Sequence, residues 1–147
     1  MHRGAYGFTL VETLVVLLLM GILAAVALPR LAGRSALAER GFQDELQAML
    51  RHARSLAVAQ QRDVCVLLDA VQARMVYTTA ALCDAAAPAA EPGNNSPFVA
   101  AVPNGVTLAG VAQVRFNPQG QPVPNANQIV TVGARALTVS RETGVVF

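Results

Sequence analysis

Between Phe8 and Leu28 the chain runs for 21 residues with a single charge, Glu12. As a helix rising 1.5 Å per residue, that run spans about 31 Å, against a bilayer hydrocarbon core of roughly 30 Å. Residues 8–28 are therefore expected to form a transmembrane helix segment. An ionised carboxylate costs on the order of 2.5–3.5 kcal/mol at the middle of such a helix. Glu12 stands only four positions past Phe8, and a chain that keeps it there has a use for it. An ordinary secretory signal does not fit, because its apolar region is only about 7–15 residues long and ends at a small-x-small site. Here Ala24, Ala25 and Ala27 run straight into Leu28-Pro29-Arg30. A plain anchor explains the length but leaves Gly7-Phe8 and Glu12 without a purpose.

The remainder of the 147 residues, about 120 of them, suffices for one small domain and not two. With 54% hydrophobic residues and a mean hydropathy of +0.44, the chain is too apolar for disorder. All 11 basic residues are arginine, and the net charge of +2 is too mild to argue for a nucleic-acid binder by itself. His52 is the one histidine beyond His2.

Past the apolar run, Pro29 and Gly33 are expected to kink or locally melt the helix. Apolar residues then recur at Phe42, Leu46, Met49, Leu50, Ala53, Leu56 and Ala57, which is one helical stripe. Arg40, Asp44, Arg51, Arg54 and Gln61 fall on the opposite face and read as solvated. The first sixty residues thus form one long helix, bare in its first half and packed by one stripe in its second, ending near residue 61.

The stripe needs an apolar partner, and β-rich runs supply it. Val64–Leu68 and Met75–Thr79 read as a hairpin. Val106–Phe116 reads as a third strand region broken by Gly110. Gln128–Val132, Ala136–Ser140 and Val145–Phe147 read as three more short strands. Asp84–Asn104, rich in Ala, Pro, Gly and Asn, reads as loop. Asn117-Pro118-Gln119-Gly120 and Glu142-Thr143-Gly144 are turn signals.

The hexapeptide Gly7-Phe8-Thr9-Leu10-Val11-Glu12 after a short basic leader resembles the class III signal of type IV prepilins and type II secretion pseudopilins. Arg51-His52-Ala53-Arg54-Ser55-Leu56-Ala57 is similar to the R-x-A-R-S-x-A segment of the GspH/FimT family of minor pilins and pseudopilins. Pro103-Asn104-Gly105-Val106 and Phe116-Asn117-Pro118-Gln119-Gly120, with a strand pair ending at Gly144, resemble that family's C-terminal half. The resemblance covers nearly the whole chain. It implies an α+β, type IV pilin-like lollipop: a long N-terminal helix, its first half transmembrane, packed on antiparallel β-sheet.

The same resemblance implies a domain plan and a set of sites. Residues 1–7 are a leader removed by prepilin peptidase between Gly7 and Phe8, and the new Phe8 amine is methylated. Residues 8–28 form the filament-core half of the helix, and 29–147 a periplasmic pilin-like domain. Glu12 serves assembly by offsetting the Phe8 amine of a neighbouring subunit. Thr9-x-x-Glu12 also matches a capping box, a compatible second role. The implied partners are prepilin peptidase, sister minor pilins, the major subunit and, before assembly, the inner membrane. The arginine count opposes this orientation, with Arg3 on one flank and Arg30, Arg34 and Arg40 on the other. The prepilin-like motif overrules it.

In a periplasmic domain the cysteine pair Cys65 and Cys83 is expected to form one disulfide. A hairpin centred on Val71-Gln72 sets Cys65 opposite Thr78, so the chain has to fold back after Leu82. Two cysteines and His52 do not make a tetrahedral metal set, so neither metal nor cofactor is expected. Catalysis by Ser55 or a cysteine would need a base and an orienting acid, and His52 alone is on hand. No enzyme is expected.

DNA uptake is the rival function within the resemblance, with Arg115, Arg135 and Arg141 as candidate phosphate contacts. The family's DNA-binding tail has the form Gly-Arg-x-Arg. Here the chain reads Gly144-Val145-Val146-Phe147, apolar at both arginine positions.

Overall fold

The computed structural model describes residues 9–79, 82–94 and 96–147, and side chains at 26–35, 79, 82 and 84–86 lie outside that description. The fold is α+β. Helix α1 (Leu10–Gln60) is followed by β1 (Val64–Leu68), β2 (Gln72–Thr79), β3 (Leu82–Pro88), β4 (Val99–Ala101), β5 (Leu108–Gly110), β6 (Gln113–Phe116), β7 (Pro122–Val123), β8 (Gln128–Val132) and β9 (Arg135–Val139). The chain divides into two compact units, Met1–Ala36 and Leu37–Phe147.

In the first unit the described helix is apolar on every side, and its large side chains are exposed, from 43% at Val16 to 79% at Leu10. Among the described residues no helix is long and apolar enough to cross a membrane. The span expected from the sequence reaches beyond them at both ends, since Phe8 and the side chains of 26–28 lie outside the described residues. The interruption expected at Pro29 and Gly33 does not occur in the backbone, which is helical through both.

In the second unit the helical stripe is the heart of the core. Phe42, Leu46, Met49, Leu50, Ala53 and Ala57 are buried, and Leu56 is packed at the margin. They join Val64, Val66, Met75, Val114 and Phe116 from one sheet and Val130, Val132, Leu137 and Val139 from another in a single cluster. The alternation is visible in β8, where Gln128, Val130 and Val132 are buried while Ile129 is exposed, as expected of a sheet with one face on the core.

All strand pairs are antiparallel. The larger sheet has the order β3-β2-β1-β6-β7 with β4 also on β2, and the smaller has the order β5-β8-β9. Several sequence expectations change, among them the tail strand 145–147, which is only an isolated antiparallel bridge of Val146 to Val139. The hairpin register places Cys65 opposite Val76, not Thr78. Asp69 causes this shift: its Oδ1 accepts the N–H groups of Val71 and Gln72 at 2.9 and 2.8 Å, closing an Asx-type turn. Leu82 already pairs antiparallel with Thr79, ahead of the expected position.

The segment 84–104 is not simply loop. It holds most of β3 and all of β4, which pair with successive stretches of the same β2 edge. Alanine-rich strands are weak by propensity, and here tertiary pairing and burial of Ala89, Phe98 and Ala100 decide the outcome. The region 106–116 is two strands in two sheets. Gly110 has φ +103, and a Cβ there would collide with the Ile129 carbonyl oxygen, so only glycine lets the chain pass from β5 into β6 at this point.

Candidate functional site

The expected processing residues Gly7 and Phe8 lie outside the described residues. Directly after them Thr9 caps α1, its Oγ1 accepting the Glu12 N–H at 3.3 Å, with the Thr13 N–H on the Thr9 carbonyl at 3.2 Å. This is one half of a capping box. The Glu12 carboxylate, in the first helical turn, meets no partner among the described residues. Its position favours a negative charge by about 0.3–1 kcal/mol through the helix dipole. Around it stand Leu10, Val11, Leu14 and Val15, all exposed. Among the described residues this leaves the carboxylate alone on an exposed apolar helix surface.

Cys65 and Cys83 are bonded, with S–S 2.06 Å and Cα–Cα 5.8 Å over a sequence separation of 18. The bond joins β1 to β3 past the β2 strand that lies between them. On the two sides of β2, Cys65 stands opposite Val76 and Cys83 opposite Thr78, with a register shift between Val76 and Thr78 on the β3 side.

The three candidate DNA-contact arginines are not brought together. Arg115 on β6 faces Asp63 at 3.6 Å and is mostly covered. Arg135 opens β9, whereas Arg141 lies past its far end, roughly 20 Å away at the rise of a strand. Arg141 also has Glu142 beside it at 3.6 Å. At the candidate nucleophile, the Ser55 hydroxyl donates to the His52 carbonyl at 2.9 Å, and the imidazole lies 6.3 Å from the Phe98 ring. Among the described residues no group of His, Cys, Asp and Glu is placed to hold a metal ion.

Reading Arg51 and Arg54 as a solvated face misses their work. One helical turn apart, they reach the backbone of the second half of the chain. Arg51 Nη2 donates to the Val146 carbonyl at 3.4 Å, and Arg54 Nε donates to the Gly120 carbonyl at 3.3 Å. Further up the helix, Glu39 Oε1 accepts the Ala134 N–H at 3.1 Å in the β8–β9 turn. The Gly120 and Gly144 turns are stacked so closely that a Cβ on Gly144 would collide with the Gly120 carbonyl oxygen, and Gly144 has φ +66. Gln121 Nε2 adds a bond to the Glu142 carbonyl at 3.2 Å. The pairing of Arg-x-x-Arg on the helix with two glycine turns far along the chain is therefore one structural device. The three-residue spacing of the two arginines is visible in the sequence, but their distant carbonyl partners are not.

A capped, bare apolar helix with a lone early glutamate, followed by a helix stripe clamped on antiparallel sheets, defines a type IV pilin-like subunit. The chain belongs to the GspH family: residues 43–144 match the family described as type II transport protein GspH, and residues 2–28 match the prokaryotic N-terminal methylation motif. Among solved structures the fold is similar to the type IV minor pilin FimU of Pseudomonas aeruginosa (strain PAO1) in two crystal forms. Both are 20% identical and span 74% of this chain, with TM-scores of 0.57 over 85% and 0.56 over 90% of the FimU chain. No protein of curated function matches this chain.

Proposed function

We propose that this chain is a non-enzymatic minor pilin or pseudopilin. Prepilin peptidase cuts after Gly7, and the Phe8 amine is then methylated. Residues 8–28 hold the subunit in the inner membrane as a single pass, with 29–147 in the periplasm. The subunit then moves into a filament, in the tip-initiating complex of a type II secretion pseudopilus or a type IV pilus, beside sister minor pilins and the major subunit. The observation that carries this reading is the Glu12 carboxylate, without a partner among the described residues, on an exposed apolar helix. In lipid that charge is costly, and pairing with a neighbour's Phe8 amine offsets the cost. The Cys65–Cys83 bond supports an oxidising compartment.

Glu12→Val at native expression level tests the reading. The variant is expected to be cleaved, and its domain to fold, while incorporation into the filament is lost; normal secretion or piliation by it would reduce Glu12 to an interfacial charge. DNA uptake is the weaker function. Arg115, Arg135 and Arg141 offer at most three scattered phosphate contacts, for a log–log salt slope no steeper than roughly −3. Micromolar DNA binding at physiological salt, lost on substituting Arg135 and Arg141, would reverse this ranking.

A further inference from the structure

We infer that the free edge of β5 is a strand-addition site that takes an extended, apolar segment of another protein through its backbone. The alternation of hydrogen bonds defines the edge. The Gly133 N–H donates to the Thr107 carbonyl at 2.8 Å, and the Val111 N–H donates to the Ile129 carbonyl at 3.3 Å. In an antiparallel ladder every second residue bonds across to its partner strand. Thr107, Ala109 and Val111 thus turn their backbone groups to β8, while Leu108 and Gly110 turn theirs away. Strand β8 is the one ladder partner of β5 among the described residues, and no bond outside the ladders engages Leu108 or Gly110 there.

This open side borders a cleft of about 200 Å³ lined by Leu68, Asp69, Ala70 and residues 108–112. The cleft exists because two elements part company. Pairing between β1 and β6 extends back to Ala112, whose carbonyl accepts the Leu68 N–H at 2.8 Å. Beyond that bond Asp69 and Ala70 enter their turn, and Gly110 sends β5 into the other sheet.

Size and chemistry select the occupant. About 200 Å³ falls below the roughly 300–1,000 Å³ of small-molecule pockets. A row of free N–H and C=O groups beside Leu68, Leu108 and Val111 instead suits an added strand with apolar alternate residues. Residues 106–113 carry no charge and no proline, so two of the usual guards of an edge are missing, and its shortness is the guard that remains. At the mouth stands Asp69, 43% exposed, with Arg74 at 3.6 Å on one oxygen. The N–H groups of Val71 and Gln72 hold its carboxyl below the usual range, which keeps it charged. A basic residue at the end of the segment complements it. A three-residue edge buries far less than the roughly 1,200 Å² of a stable dimer, so the occupant is a segment of a different protein and not a second copy.

The test uses the full chain in detergent and a labelled, end-blocked hexapeptide, Thr-Val-Thr-Val-Thr-Arg, followed by fluorescence anisotropy. Saturable binding is expected, weakened about tenfold when alternate peptide amides are N-methylated, the scale of one lost backbone hydrogen bond. Ala109→Lys and Ala112→Lys, both at exposed positions, are expected to weaken it comparably while circular dichroism and melting stay unchanged. The proposal is overturned by an absence of saturable binding, or by binding indifferent to N-methylation or to both lysines. Self-association of the full chain that Ala109→Lys abolishes would assign the edge to a second copy and overturn it equally. None of these outcomes depends on Glu12 or on filament formation.

Discussion

Leu17 and Leu46 are the same residue on the same helix, yet Leu17 is 69% exposed and Leu46 is fully buried. The local sequence decides which fate each meets. Around Leu17 every face is apolar, more than a single sheet face can cover. Around Leu46 the apolar residues form one stripe, and the chain's own sheets bury it. The comparison teaches that one helix can carry two kinds of sequence, one apolar on all sides and exposed, the other striped and buried by its own domain.

The sharpest way to break that comparison is to truncate both leucines. Leu46→Ala is expected to cost the domain about 2–5 kcal/mol, whereas Leu17→Ala leaves its denaturation unchanged. Urea melts monitored by the domain's β-signal would show it. Equal losses at both sites would mean the two halves stabilise one another. Next in size is the Cys65–Cys83 bond, whose loop is worth about 3 kcal/mol in the chain-entropy model. Replacing both cysteines by serine should lower domain stability by that order and leave leader processing untouched, as intact mass and melting together would report.

Arg54→Ala comes third. It removes a charged donor from the Gly120 carbonyl, a half-buried bond expected to be worth about 1 kcal/mol. If Arg54 merely faced solvent, the change would fall within error. The smallest effect belongs to Asp69. Because its folded carboxyl titrates below the ordinary carboxylate range near pH 4, its contribution is complete above that range. It fades as the pH falls through the depressed value. Asp69→Asn should flatten the acid limb of the stability profile slightly, given how exposed the side chain is.

Much of this arrangement was legible in the residues. The stripe Phe42 to Ala57 and strands β1 and β8 were readable because period 3.6 and β-branched runs are local signals. Gly110 was readable as a break, but not as a transfer between sheets, since that depends on where β8 lies. The β3–β4 arm was hidden because alanine, proline and asparagine speak for loop until β2 offers its edge. The Arg51 and Arg54 clamp was hidden for a similar reason. A charged residue beside an apolar stripe looks solvated until a distant carbonyl is folded onto it. At the candidate assembly site the types of residue and the Thr9 cap were plain in the sequence, and what the structure adds is that only the Thr9 half of the capping box is made and that the apolar side chains around Glu12 are exposed.

The central claim is that the apolar half of the helix is made for a filament after its leader is removed. Intact-mass analysis of this chain in filaments sheared from cells with an active prepilin peptidase addresses it directly. The expected species begins at Phe8 and carries one added methyl group. A chain that retains Met1–Gly7, or that stays in the membrane fraction and never enters the filament, would contradict the claim.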